Sequence, residues 1–114
     1  SVNILKEKGI LDKVKVGGMD LLNPAIESIE KGELYFSTGG HYMQTGFALI
    51  MVYDALNVKM PTETNVKLNL LNVTKDNMAK FKSKYIDNSN PVDVKAMSQT
   101  FTPGAKTYFE LNLD

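Results

Sequence analysis

The sequence predicts an α/β fold, a mainly parallel sheet flanked by helices. Three observations carry that expectation. Segments of helical period alternate with segments of strand period, the order that produces parallel strands joined by helical crossovers. The length of 114 residues allows one domain at most. The composition, 43% apolar and 23% charged, is that of an ordinary globular chain with a core to bury.

Residues 1–8 read as the end of a helix, with Gly9 as its cap and Ile10 as the apolar residue beyond it. Residues 14–19 (VKVGGM) read as a buried strand ending at Asp20. Asn23-Pro24 opens a second helix, with Asn as cap and Pro at the first helical position. Glu27 falls in its first turn, Ile26 and Ile29 face inward, and Gly32 ends it. A short strand follows at 34–38, broken by Gly39-Gly40.

Residues 41–56 carry the longest helical pattern. Its middle, 47–53, is apolar nearly all round, the mark of a helix buried on most sides. Alternation of Val66, Leu68 and Leu70 with Lys67 and Asn69 predicts a strand over 66–73 with one wetter face. Thr74 is expected to cap a fourth helix whose inward stripe is Met78, Phe81 and Tyr85. Residues 88–91 form a turn cluster. The tail lacks a clean period; extended pieces are expected near 92–96 and 107–113, with a turn at Pro103-Gly104 between them.

The formal net charge is zero, which argues against nucleic acid as a partner, because phosphate neutralisation needs a basic surplus. All 13 basic residues are lysine, so no guanidinium fork awaits a carboxylate or phosphate. That favours a neutral, hydroxyl-rich ligand. The absence of Cys removes disulfides, thiolate metal sites and a Cys nucleophile. Gly17-Gly18 has neither the Lys-Ser/Thr of a phosphate cradle nor a dinucleotide-binding glycine triplet, and no EF-hand loop is present; no cofactor is expected. The longest apolar run, 47–53, is far below the ~20 residues of a membrane span. The chain opens on Ser1 in a polar helical pattern without a basic leader, so a mature or trimmed segment is expected.

In open α/β sheets ligands sit beyond the carboxyl ends of strands. Two such ends stand out by their chemistry, Met19-Asp20 and Gly39-Gly40-His41.

The segment VKVGGMDLLNPAIESIEKGELYFSTGGHYMQTG resembles the C-terminal half of type I periplasmic solute-binding proteins, the ribose and galactose binders among them. The matching features are Gly18-Met19-Asp20 at a strand end, Pro24 at a helix start and Ile29-Glu30-Lys31-Gly32 at its close. A strand at 35–38 and Gly46 within a long helix complete the set. The later stretch VKLNLLNVTKDNMAKFKSKYIDN resembles the end of the autoinducer-binding sensor branch. Together these cover most of the chain up to about Asn88.

The resemblance implies a C-terminal part of a two-lobed fold. Residues 1 to about 39 would belong to the C-terminal lobe, with a crossover near 39–41 and a later one after about 73. It also implies a binding role without catalytic machinery. A small polar solute, a sugar or sugar-like signal, would lie in the interlobe cleft for delivery to an ABC-type membrane transporter or a sensor receptor. The location would be extracytoplasmic and bacterial. Because the rest of such a protein is missing from 114 residues, exposed apolar faces and self-association are expected.

On the same resemblance, Asp20 matches a ligand-contacting Asp. An ionised carboxylate there accepts hydrogen bonds from two neighbouring hydroxyls; the alternative is an Asp that caps the following turn. Gly40 falls where many sugar binders carry Gln or another polar contact, and here that side chain is absent. It allows close backbone approach to a ligand, or simply makes the turn. His41, the single histidine, is a ligand contact or a helix-start residue. Tyr42 and Met43 follow; an aromatic face stacks on a sugar, or packs within the helix. Gln44 is a further polar candidate, and Met19 either walls the cleft or lies in the core. A Ser37, His41 and Asp20 triad lacks a nucleophile-elbow motif. Two other readings stay open: the effector domain of a related transcriptional repressor, and a free-standing flavodoxin-like domain with an intact sheet.

Overall fold

The computed structural model describes residues 2–57, 60, 63, 65–88 and 92–114. The chain is mixed α/β. Its sheet has three strands in the order β1 (Gly17–Met19), β2 (Phe36–Gly39), β3 (Leu71–Thr74). The helices are α1 (Val2–Glu7), α2 (Asn23–Glu30), α3 (Tyr42–Asn57), α4 (Met78–Phe81) and α5 (Val94–Met97); a π-helical turn, Lys82–Ile86, extends α4.

Strands β1 and β2 are parallel, with Gly17 opposite Phe36 and Met19 opposite Thr38. Backbone bonds prolong this ladder at both ends, from Tyr35 N–H to the Val16 carbonyl and from Asp20 N–H to the Thr38 carbonyl, each 2.8 Å. Strand β3 runs antiparallel to β2, with Gly39 opposite Leu71. The expected mainly parallel sheet is thus corrected to one parallel and one antiparallel pair. The chain leaves β2 at its carboxyl end, runs out along α3, and re-enters through 65–70 at that same end, which forces the opposite direction. This small mixed sheet is not the intact parallel sheet of a free-standing flavodoxin-like domain.

Several boundaries move for identifiable reasons. The buried strand expected over 14–19 is an exposed edge paired only at 17–19; among the described residues nothing pairs with its outer side. Leu22, not Asn23, caps α2: the Ala25 and Ile26 N–H groups reach the Leu22 carbonyl (2.8 and 3.1 Å), so the backbone closes the first turn by itself. Glu27 consequently lies past that turn and approaches Lys31 at 4.0 Å. Of the strand expected over 66–73 only 71–73 is paired, and the ladder runs on one residue to Thr74. Thr74 ends β3 instead of capping α4. Asn77 organises that turn, its Oδ1 accepting from Thr74 N–H (2.9 Å) and its Nδ2 donating to the Asn72 carbonyl (3.0 Å). The extended piece expected over 92–96 contains helix α5, because Asp93 Oδ1 accepts from Ala96 N–H at 3.0 Å and caps it. Of the turn expected at 88–91, residues 89–91 lie outside the described residues.

The core beneath the sheet joins Ile26 and Ile29 of α2 with Leu71 and Val73 of β3 and Met78 and Phe81 of α4. Leu21, Leu34 and Leu111 complete it. Leu111 comes from the tail, which Tyr85 pins: its hydroxyl donates to the Asn112 carbonyl at 2.9 Å and accepts from Asn112 N–H at 3.2 Å. The Leu111 side chain then lies over Gly40. A Cβ at position 40 would stand 2.5 Å from Leu111 Cδ1, and φ there is +107°, a left-handed value suited to glycine.

Phe47 and Ile50 of α3 are buried apart from that cluster, Phe47 edge-on against Phe109 with ring centres 5.0 Å apart. The same face of α3 carries a buried carboxylate, Asp54. It accepts from Ser98 Oγ (2.6 Å), Gln99 N–H (2.8 Å), Thr100 N–H (3.0 Å) and Thr100 Oγ1 (2.8 Å). This clamp fastens the segment after α5 onto the long helix. Burial alone would raise the Asp54 carboxyl, but the hydrogen bonds from residues 98–100 outweigh it and hold the group down at about 2, against an ordinary 3.8. The expectation that α3 is buried on most sides fails: Leu49, Val52 and Leu56 are 65%, 56% and 81% exposed. The radius of gyration, 17.9 Å, exceeds the ~13 Å of a compact chain this long, consistent with an uncovered helix face.

Two outcomes follow. Gly40→Ala combines a disfavoured backbone angle with a clash against Leu111 and should cost about 1–3 kcal/mol in urea denaturation followed by circular dichroism. The Asp54 clamp contributes stability that is present above about pH 4 and lost as the pH falls through about 2, because the folded-state carboxyl titrates below its unfolded value. Asp54→Asn should cost about 1–3 kcal/mol at neutral pH and flatten the stability profile across that acid window.

Candidate functional site

The parallel pairing of β1 and β2 ends both strands at one level, and the next residues of each meet there. Beyond β1, Asp20 and Leu21 both take left-handed backbone angles, φ +89° and +53°. Such angles are rare outside glycine and cost on the order of 1–3 kcal/mol each. What holds them is local. Leu21 is buried in the core, and its N–H reaches the Oγ of fully buried Ser37 at 3.4 Å. A Cβ at Gly39 would stand 2.8 Å from Leu21 Cγ, so only glycine there lets Leu21 fold in against β2. The double reversal leaves the Asp20 side chain at the surface.

Beyond β2, Gly40 turns the chain into α3, and His41 stands directly before that helix. His41 Nε2 lies 3.2 Å from Asp20 Oδ1. Both side chains are about half exposed, so the pair orients the two groups and contributes little to stability. No hydrogen bond to Asp20 Oδ2 is found among the described residues. The Tyr42 ring meets the His41 ring edge-on at 6.3 Å. Partial burial, with Tyr85 nearby, raises the Tyr42 phenol above its ordinary value and keeps it a neutral hydroxyl.

These groups line an open groove of about 700 Å³ formed by Asp20, Leu21, Leu22, Asn23, Pro24, His41 and Tyr42. It offers a carboxylate acceptor, an imidazole, a phenol and an amide beside a wall of Leu22 and Pro24. Polar groups that converge over an apolar wall suit a ligand with hydroxyls on one side and C–H on the other. The groove lining contains no Ser, Thr, Cys or Lys. Ser37, the third member a triad would require, is sealed beneath Leu21. Among the described residues no cluster of three or more His, Cys, Asp or Glu could hold a metal ion. No helix there is long and apolar enough to cross a membrane.

Of the residues singled out in the sequence, Asp20, His41 and Tyr42 come together in this groove. Met19 is exposed on β1 outside the lining. Gly40 is buried, and its missing side chain makes room for Leu111. Met43 packs against the core, and Gln44 is exposed beyond the groove. Sequence reasoning missed Leu22, Asn23 and Pro24 as a wall of the site; their signal was position alone, immediately after a strand-end Asp. It also missed Asp54, whose signal was a single carboxylate inside the apolar run FALIMVYDAL.

In comparisons with family models, with curated proteins and with solved structures, nothing matches this chain.

Proposed function

We propose that the chain binds a small polar solute, a sugar or sugar-like signal, through the groove at the ends of β1 and β2. In this reading Asp20 accepts hydrogen bonds from adjacent hydroxyls, and His41 holds the carboxylate in place while offering a donor of its own. Tyr42 and Pro24 flank the C–H face of the ligand. The observation that carries the proposal is the backbone outlier: two consecutive non-glycine residues held left-handed so that one carboxylate faces an open groove. Strain of that kind is retained where it positions a functional group.

The groove is a single open wall, as one lobe of a hinge-closing binder would present. Delivery of the solute to a transporter or sensor outside the cytoplasm belongs to the same proposal, and so does binding without turnover.

One open wall leaves much of a ligand in solvent, so affinities of about 1 mM are expected. Titration of the chain with pentoses, hexoses and an autoinducer, followed by amide and imidazole NMR shifts, should move Asp20, Asn23, His41 and Tyr42 together. A panel in which no compound moves them would reject a sugar-class ligand. Asp20→Ala should weaken the strongest binder by about tenfold or more, the loss of charge-assisted hydrogen bonds.

Asp20→Gly separates function from folding. Glycine adopts φ +89° without strain, so the urea midpoint should hold or rise, by up to about 1 kcal/mol, while binding is lost. If Asp20 served only to cap the turn, the same change would destabilise the fold and leave binding intact.

A further inference from the structure

Helix α3 carries two apolar stripes. Met43, Phe47, Ile50 and Asp54 turn toward the rest of the molecule. Thr45, Leu49, Val52 and Leu56 are all exposed. Both sets follow a 4-3-4 spacing, and on 3.6-residue geometry they lie about 160° apart. The second set has the spacing of a coiled-coil seam, in which alternating steps of three and four keep one row of side chains toward a partner helix.

Tyr53, Val94 and Phe101 widen this face. Tyr53 and Phe101 stack at 5.8 Å with planes 7° apart, and Val94 lines the same apolar groove of about 550 Å³ along Gly46, Leu49, Val52 and Leu56.

We propose that this face is a self-complementary interface that pairs two copies of the chain, α3 against α3, about a two-fold axis near Val52. Three observations select a second copy as the occupant. The first is spacing: the seam fits a helix with the same spacing, and the chain itself supplies one. The second is charge: α3 has no basic residue, and its one carboxylate, Asp54, is turned inward and bound, so two copies meet without like-charge repulsion.

The third is area. Leu49, Val52, Tyr53, Leu56, Val94 and Phe101 each expose on the order of 100 Å². A symmetric pair would bury about 1,200 Å², the lower limit for a specific, stable interface. The Asp20 groove is lined by none of these six residues, and the pairing stands whether or not the solute-binding reading holds.

Sedimentation equilibrium of the 114-residue chain from about 1 μM to about 1 mM spans the range in which an interface of this size should populate. A monomer–dimer equilibrium is expected. The double variant Leu49→Glu, Leu56→Glu should be monomeric throughout, with an unchanged circular dichroism spectrum because both side chains are exposed. A wild-type monomer at the highest concentration would overturn the proposal. So would open-ended oligomers, or a dimer that survives the double variant.

The chain has no cysteine, so single introductions report contacts cleanly. Under air oxidation Val52→Cys should cross-link into a covalent dimer, and Lys8→Cys, exposed but outside this face, should not. Equal cross-linking at both positions would also overturn the interface.

Discussion

The parallel register between β1 and β2 is the constraint from which the rest of the architecture follows. Only three residue pairs define it, yet the Asp20 N–H to Thr38 carbonyl bond carries the alignment one step past the strand. That step fixes where the chain must reverse. With β2 continuing beside it through Gly39, Leu21 can enter the core only if Asp20 and Leu21 both turn left-handed, and only if position 39 has no side chain. Strand β3 then caps the opposite edge of β2, and the tail closes the end of the sheet by laying Leu111 over Gly40. A slip of one residue in the first pairing would exchange the buried and exposed faces of β1 and separate Asp20 from His41.

The parts of this arrangement that were legible in the sequence depend on local chemistry. Helix α2 is announced by Pro24 and closed at Gly32; α4 and its extension are announced by Met78, Phe81 and Tyr85. The approach of Asp20 to His41 was foreseeable because both follow strand-like segments linked by one helix, an arrangement that brings successive carboxyl ends together. The direction of β3 was not foreseeable. Alternation in VKLNLLNV marks extended backbone with one wet side but does not say which end of the sheet the chain re-enters. Helix α5 was hidden for a different reason: four residues are too few to display a period, and its one clear sign was the cap, Asp93.

Helix α3 misled the sequence reading in an instructive way. A run that is apolar on nearly every side ordinarily signals a fully buried helix. Here the uniformity arises from two separate stripes on nearly opposite faces. One is anchored internally by Phe109 and by the ring of donors around Asp54. The other is exposed and stands outside the core formed by the described residues. Composition around a helix reports how many surfaces it is made to contact and leaves open which molecule supplies each.

The left-handed turn at Asp20 has one consequence for how such a groove could diversify. Where this carboxylate stands is dictated by the main chain and by a leucine anchored in the interior, and its orientation by His41 beside it. Leu22, Asn23 and Tyr42 are therefore released from the duty of aiming it. They can be exchanged one at a time, reshaping the wall, while the carboxylate at its centre keeps its bearing: a fixed compass point within a variable landscape.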